Sequence, residues 1–224
     1  MKPLISEERD TATLQNLGRA SLQIIHDIKN QLNGLKLYAT YLRKRMEKLE
    51  DAGELQETLG KLVAGLDRAA ADLNVLVQYG RPISLSKHQG IDVQKLLRTM
   101  SAASSDGAAL SNLILDSDQQ MVGEFDPTAL AEALKSISAG AVSARDRDNP
   151  DSLKVSLTRE ENDGSSFAVI EWNPVKFNNG DPFSSFHGSE AIRMALAGKI
   201  VEAHGGSAER VQEKLRVRLP LTES

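Results

Sequence analysis

The chain contains no cysteine, which excludes a disulfide framework and a thiolate zinc site and suits a cytoplasmic protein. It has only four histidines, so little is left over for holding a metal. There is no excess of positive charge either: the formal net charge is -4, the pI is near 5.7, and Lys and Arg are interspersed with Asp and Glu. That distribution leaves no cationic footprint, and nucleic acid is not expected as a partner. No uninterrupted apolar run reaches the roughly 18 residues that a bilayer-spanning helix needs, and no apolar signal segment opens the chain, so no membrane association is expected. What the 224 residues do have is enough apolar content, 40%, for one large domain or two small ones, each with its own core.

From Leu14 to Leu49, apolar and small residues alternate at spacings of three and four, at Leu14, Gly18, Ser21, Ile25, Ile28, Leu32, Leu35, Ala39, Leu42, Met46 and Leu49. A heptad seam of about five repeats predicts one long helix, roughly 50 to 60 Å at 1.5 Å per residue, packed in coiled-coil fashion. Glu50-Asp51-Ala52-Gly53 breaks it. A second seam follows at Leu55, Leu59, Leu62, Leu66, Ala69, Leu73 and Leu76. It stops at Gly80-Arg81-Pro82, where glycine and the restriction on the residue before proline both oppose further helix. The prediction is an antiparallel helical hairpin over residues 1–82. Two helices cannot enclose such a seam, so pairing of two copies into a four-helix bundle, a homodimer, is the expected way to bury it. The alternative, a bundle with later helices of the same chain, sits poorly with the change of character after Pro82.

Beyond Pro82 short strands mix with helices in an α/β pattern punctuated by Gly, Ser, Asn and Asp. Helices are predicted over Asp92 to Ala102, from Asp126-Pro127 through Ala144, and over Ser189 to His204. The second has Asp126 as a natural N-cap and Pro127 at the first helical position. Strands are predicted over Asn112 to Asp116, Gln120 to Glu124, Leu153 to Arg159, Phe167 to Asn173 and Leu215 to Leu219, with Asn162-Asp163-Gly164 as a hairpin turn.

Ile25 lies on the first seam, so His26 falls at its flank, where the ring is presented to solvent. Asn30, Asn33 and Leu37 continue the same stripe, and Asp27 is the neighbour around the helix. An imidazole nucleophile keeps one nitrogen unprotonated and the other hydrogen-bonded, and an adjacent carboxylate favours that tautomer and stabilises the imidazolium that forms. Asp27 is placed for this, and Asn30, one turn on, for orienting a water or a phosphoryl oxygen. His-Asp-x-x-Asn on a helix is a weak signal by itself, because three solvated polar residues give the same pattern.

The stretch Ala20 to Leu35, with His26-Asp27-Ile28-Lys29-Asn30-Gln31-Leu32-Asn33, resembles the H box of sensor histidine kinases. Leu76-Val77-Gln78-Tyr79-Gly80-Arg81-Pro82, followed by Ile91-Asp92-Val93-Gln94-Lys95-Leu96-Leu97, resembles the junction between their two domains. Asp181-Pro182-Phe183-Ser184-Ser185-Phe186, the run Ala195-Leu196-Ala197-Gly198-Lys199-Ile200-Val201-Glu202-Ala203-His204-Gly205-Gly206 and the closing Val217-Arg218-Leu219-Pro220-Leu221 resemble the end of their ATP-binding domain. The resemblance covers nearly the whole chain in the right order. It implies an α+β fold: a dimerisation and phospho-acceptor hairpin over 1–82 with His26 as acceptor, then an ATPase-like α/β domain over 83–224.

The same resemblance shows what is missing. The family carries two asparagines, four apart, that hold magnesium and phosphates; Ser136 and Gly140 stand in their places, and neither can coordinate as asparagine does. A family Asp-x-Gly-x-Gly stretch that reads adenine is replaced by Trp172-Asn173-Pro174-Val175-Lys176-Phe177-Asn178-Asn179-Gly180. The second glycine-rich segment reads Gly188-Ser189-Glu190-Ala191-Ile192-Arg193-Met194, where Glu190 adds bulk and like charge against a phosphate and Arg193 is a partial offset. No nucleotide or metal is expected to bind. Trp172, Phe177, Phe183 and Phe186 then read as packing residues and His204 as a helix-ending residue facing the dipole, while His88 and His187 carry no signal.

A kinase-like core without ATP chemistry can still carry phosphoryl groups. The leading expectation is a histidine phosphotransferase whose partners are response-regulator receiver domains, with Mg2+ supplied by the receiver. Leu37, Tyr38, Tyr41 and Val63, off the main seam, are candidate docking anchors for that partner beside Asn33, and each is equally readable as peripheral bundle packing. The rival readings are a response-regulator phosphatase in which Asn30 and Asp27 position water, a non-catalytic regulator-binding module, and an active cytoplasmic histidine kinase.

Overall fold

A computed structural model describes residues 25, 28–44, 53–103, 113–115, 120–145, 153–162, 164–177, 181–183 and 189–222. The chain divides into two compact units, Met1–Pro82 and Ile83–Ser224.

In the first unit, helix α1 (residues 28–44) lies beside α2 (Gly53–Gly80) as a hairpin. Lys36 of α1 forms an ion pair with Asp67 of α2 at 2.5 Å. In one continuous helix those residues would stand more than about 40 Å apart at 1.5 Å per residue, so the chain has reversed. The pair is about half exposed and contributes at most about 1 kcal/mol; the apolar contacts beneath hold the helices. Ala39, Leu59 and Val63 are no more than 9% exposed, whereas the seven-residue rows Ile28, Leu35, Leu42 and Leu55, Leu62 remain between 41% and 55% exposed. Each seam is thus buried on one side and open to solvent on the other. No described helix is long and apolar enough to cross a membrane.

The second unit runs β1 (His88–Asp92), α3 (Val93–Ala103), β2 (Leu113–Leu115), β3 (Val122–Phe125), α4 (Pro127–Ser143), β4 (Lys154–Asn162), β5 (Ser165–Asn173), α5 (Ser189–Ala203), β6 (Ser207–Val211) and β7 (Lys214–Pro220). The main sheet has the order β2-β4-β5-β7-β6, antiparallel except for the parallel β2–β4 pair, and β1 and β3 form a separate antiparallel ribbon. Alternate residues of the strands, Val155, Leu157, Ala168, Ile170, Trp172, Leu215, Val217 and Leu219, turn one face inward. Against it the helices set Val93, Leu97, Leu130, Leu134, Ile137, Met194 and Val201. On the other face of the sheet Glu171 binds Lys214 at 3.1 Å and Arg216 at 2.8 Å. Burial pushes the Glu171 carboxyl up, but the hydrogen bonds from Lys214 and Arg216 outweigh it and hold the pKa below the ordinary glutamate value.

The three helices of this unit lie within a residue or two of the predicted spans. Asp92 caps α3, accepting from the Gln94 amide at 2.9 Å, and Asp126 caps α4, accepting from Thr128 at 3.1 Å and Ala129 at 3.0 Å. The five predicted strands are present, with β4 and β5 longer than expected and joined across the Asn162–Ser165 pair, where Gly164 has φ 79°. Two strands escaped the sequence reading. His88–Asp92 lacks apolar alternation, contains Gly90 at φ 77° and pairs through a register shift. Ser207–Val211 is an edge strand with small and charged residues, reached from β7 through a turn that places Gln212, not glycine, at φ 57°.

In the core, the Trp172 indole donates to Ser138 Oγ at 3.1 Å, both groups being buried. Replacing Ser138 by Ala leaves that N–H without its acceptor and is expected to cost about 1–3 kcal/mol, read as a lower urea midpoint at unchanged m-value. Adding Trp172→Phe should then cost less than the two single losses combined, because no orphaned polar group remains.

Candidate functional site

On α1 the stripe leading away from position 26 can be followed from one turn later. His26 and Asp27 lie outside the described residues. Asn30 and Asn33 are on the exposed side of the helix, and the spacing carries the stripe on through Leu37 to Tyr41. Leu37, Tyr38 and Tyr41 are 58–70% exposed, more so than Ile28, Leu35 and Leu42 on the same helix. Val63 does not belong with them. It stands one turn after Leu59 on the inward face of α2 and is buried in the hairpin, so its place among the docking anchors is corrected to packing.

In the second unit, α4 and α5 carry the positions where the family resemblance places phosphate and metal ligands. The Ser136 hydroxyl donates to the Glu132 carbonyl at 3.1 Å, a local bond one turn back along its own helix. Gly140 is buried, and a Cβ built on it would lie 2.5 Å from Met194 Sδ and 3.1 Å from Met194 Cγ. Met194, on α5, is itself 1% exposed and packed in the core, so a side chain at 140 would require it to shift. The place where a side chain at 140 would project is therefore filled from the neighbouring helix. After β5 the chain continues into Val175, which is fully buried and donates its amide to the Glu213 carbonyl, and Lys176, which donates to that of Ala144. Trp172 and Phe183 are core residues, and Phe177 packs partly against the core beneath the Arg210 guanidinium at 5.6 Å. Phe186 and His187 lie outside the described residues, and His88 is exposed on β1.

His204 follows α5 and is 2% exposed. Its Nδ1 faces the Ile200 carbonyl at 2.8 Å, which can only accept, so Nδ1 carries the proton; Nε2 then accepts the Asp126 backbone N–H at 3.0 Å. The sequence reading found the helix-terminal half of this arrangement. The link to the α4 cap, which comes from 78 residues away, had no local signal.

No protein-family model matches the chain. A curated relative, the sensor histidine kinase ZraS of Klebsiella oxytoca, is 25% identical over 203 residues, covering 86% of this chain and 42% of the relative. Among solved structures, full-length ShkA in complex with AMPPNP superposes with a TM-score of 0.65 at 17% identity, over 92% of this chain and 46% of that one. The histidine kinase ThkA in complex with the response regulator TrrA gives 0.54 at 15% identity, over 95% of this chain and 66% of that one. The Acinetobacter baumannii histidine kinase AdeS gives 0.52 at 14% identity, over 87% and 97%. These likenesses show the fold, and the chain spans less than half the length of ZraS and of ShkA.

The contact at Gly140 makes a quantitative claim. Gly140→Asn is expected to destabilise the protein by about 1–3 kcal/mol through overpacking against Met194. Adding Met194→Ala should recover part of that loss in thermal or urea unfolding, since the two side chains compete for one space.

Proposed function

We propose that this chain, which resembles two-component sensor histidine kinases, is a histidine phosphotransferase of a cytoplasmic phosphorelay, which passes phosphoryl groups between receiver-domain aspartates through His26 and does not bind ATP. The observation that carries this reading is the filled contact between α4 and α5, with Met194 occupying the space a ligand side chain at Gly140 would need. The Ser136 hydroxyl, turned back on its own helix, supports it. These residues do not fit a magnesium-nucleotide.

In the transfer, an unprotonated imidazole nitrogen of His26 forms a bond to phosphorus as the bond from phosphorus to the receiver's aspartyl oxygen breaks, returning a carboxylate. Asp27 stabilises the proton on the other imidazole nitrogen, and Asn30 orients a phosphoryl oxygen. The receiver would hold the magnesium, whose charge would offset that of the phosphoryl group. The partner is assigned to the exposed stripe of Asn33, Leu37 and Tyr41, with Tyr38 beside it. ThkA was solved with a response regulator, and an aromatic, apolar patch of this kind suits the core of such an interface. Homodimerisation is assigned to the open seam rows Ile28, Leu35, Leu42 and Leu55, Leu62, since a heptad repeat left half exposed by one hairpin is closed by a second.

Two measurements decide. Incubated separately with labelled ATP and with a labelled phospho-receiver, the purified chain is expected to take label on His26 from the receiver and none from ATP. Labelling from ATP would overturn the proposal, and loss of receiver phosphate that persists in His26→Ala would reassign the chain as a phosphatase. Leu37→Ala with Tyr41→Ala is expected to slow transfer from the receiver about tenfold or more, the effect of losing about 1.4 kcal/mol of docking energy. In light scattering, Leu35→Asp with Leu62→Asp is expected to turn a dimer into a monomer, whereas the Leu37 and Tyr41 changes leave it a dimer.

A further inference from the structure

Asp126 has more partners than a helix cap needs. Its Oδ1 receives the amides of Thr128 and Ala129 that open α4, and its Oδ2 receives the amide of Ser86 at 2.9 Å, from the linker that arrives from Pro82 before β1 begins at His88. Its own amide is held by His204 Nε2 at 3.0 Å, and His204 Nδ1–H is held by the Ile200 carbonyl at 2.8 Å. One carboxylate and one imidazole thus tie together the linker, the start of α4 and the end of α5. The groups facing the ring are Lys87 of the linker, Asp126 of the cap and the Phe125 ring at 5.8 Å.

We propose that His204 and Asp126 form a proton-sensitive clasp that holds the linker to the second unit at Ser86 and releases it when the ring is protonated. A proton on Nε2 removes the acceptor that the Asp126 amide uses and sets two N–H groups against each other. The charged group beside the ring that can accept the new N–H is the Asp126 carboxylate. Of the donors already on that carboxylate, Thr128 and Ala129 are fixed by the first turn of α4, and Ser86, on an exposed segment, is the one displaced. Release leaves the segment between Pro82 and β1 without the Ser86–Asp126 bond.

Burial holds the His204 pKa below its ordinary value, with Lys87 adding to the effect against the opposing pull of the Ile200 bond and the Asp126 charge. Asp126 is itself held below the ordinary carboxylate value by the amides of Ala129 and Ser86. The clasp is therefore closed at neutral pH, and it opens in the acidic range where the ring is charged and the carboxylate still ionised. The stability contribution of neutral His204 is complete above the unfolded imidazole value, 6.5, and is lost as pH falls toward the folded value.

The test is amide hydrogen exchange on the full chain, corrected for the intrinsic base-catalysed rate. Protection at Ser86 and Asp126 should fall on acidification with a slope approaching tenfold per pH unit, as one proton requires, while Leu134 in the interior of α4 stays protected. His204→Gln, neutral at every pH, should abolish the dependence. Unchanged Ser86 protection in the native protein, or an equal fall in His204→Gln, overturns the clasp. Ser86→Pro serves as a second variant that leaves the buried groups untouched. It should expose residues 83–87 to exchange at every pH, and a segment that stays as protected and as pH-sensitive as before also overturns it.

Discussion

Helix α4 can approach α5 as closely as it does only because position 140 carries no side chain. A β-carbon there would meet Met194 Sδ at 2.5 Å, and Met194 is itself buried in the core. Leu134, Ile137, Ile170 and Trp172 belong to the same core, in which Ser138 accepts from the indole. Overpacking of this kind costs about 1–3 kcal/mol, a large part of the margin of a domain stable by only about 5–15 kcal/mol. The volume into which a side chain at 140 would project is thus taken up by packing.

The first unit has the opposite problem, a surplus of apolar surface. A leucine fully removed from water contributes about 1.5–3 kcal/mol, so each half-exposed seam residue has roughly 1 kcal/mol still to gain. Ile28, Leu35 and Leu42 repeat every seven residues, as do Leu55 and Leu62, which is the spacing a second hairpin reads. Leu37 and Tyr41 sit four apart on another side of α1, more than a quarter turn from that row at about 100° per residue. Tyr38 is different: three residues after Leu35 and four before Leu42, it flanks the seam and is within reach of a second copy. The exposed surface of α1 thus separates into a row suited to self-association and a stripe suited to another partner, with Tyr38 at their border.

The features legible in the sequence were those whose signals are local. The cap at Asp126, the proline after it and the short strand patterns placed the helices and five of the strands of the second unit to within a few residues. The heptad spacing placed the hairpin but not which half of each seam faces inward. For that reason Val63, judged by its distance from the seam, read as a candidate for exposure, while the three-dimensional face it shares with Leu59 buries it. Strands β1 and β6 carry no apolar alternation and exist because a partner strand is already in place. Gly140 was legible as a missing ligand, but its contact with Met194, more than fifty residues away, was not. The partner of His204 Nε2 was hidden for the same reason.

His204 shows why a buried polar residue persists in an otherwise apolar layer. Two backbone groups from different segments, the Asp126 N–H and the Ile200 C=O, meet the ring, and the carbonyl also accepts the His204 amide at 3.2 Å. An aliphatic side chain would orphan the Asp126 N–H, at about 1–3 kcal/mol. A lysine or arginine offers only donors and would leave the amide facing a positive charge. Neutral imidazole supplies one acceptor and one donor on opposite sides of a rigid ring, and the Ile200 carbonyl selects the tautomer by accepting from Nδ1. The residue that satisfies this junction is therefore also the one side chain there whose charge can change near neutrality. A structural solution for one stranded backbone amide brings a proton-responsive group to the point where the linker is held, because the tautomer that closes the junction is lost as soon as the ring gains a proton.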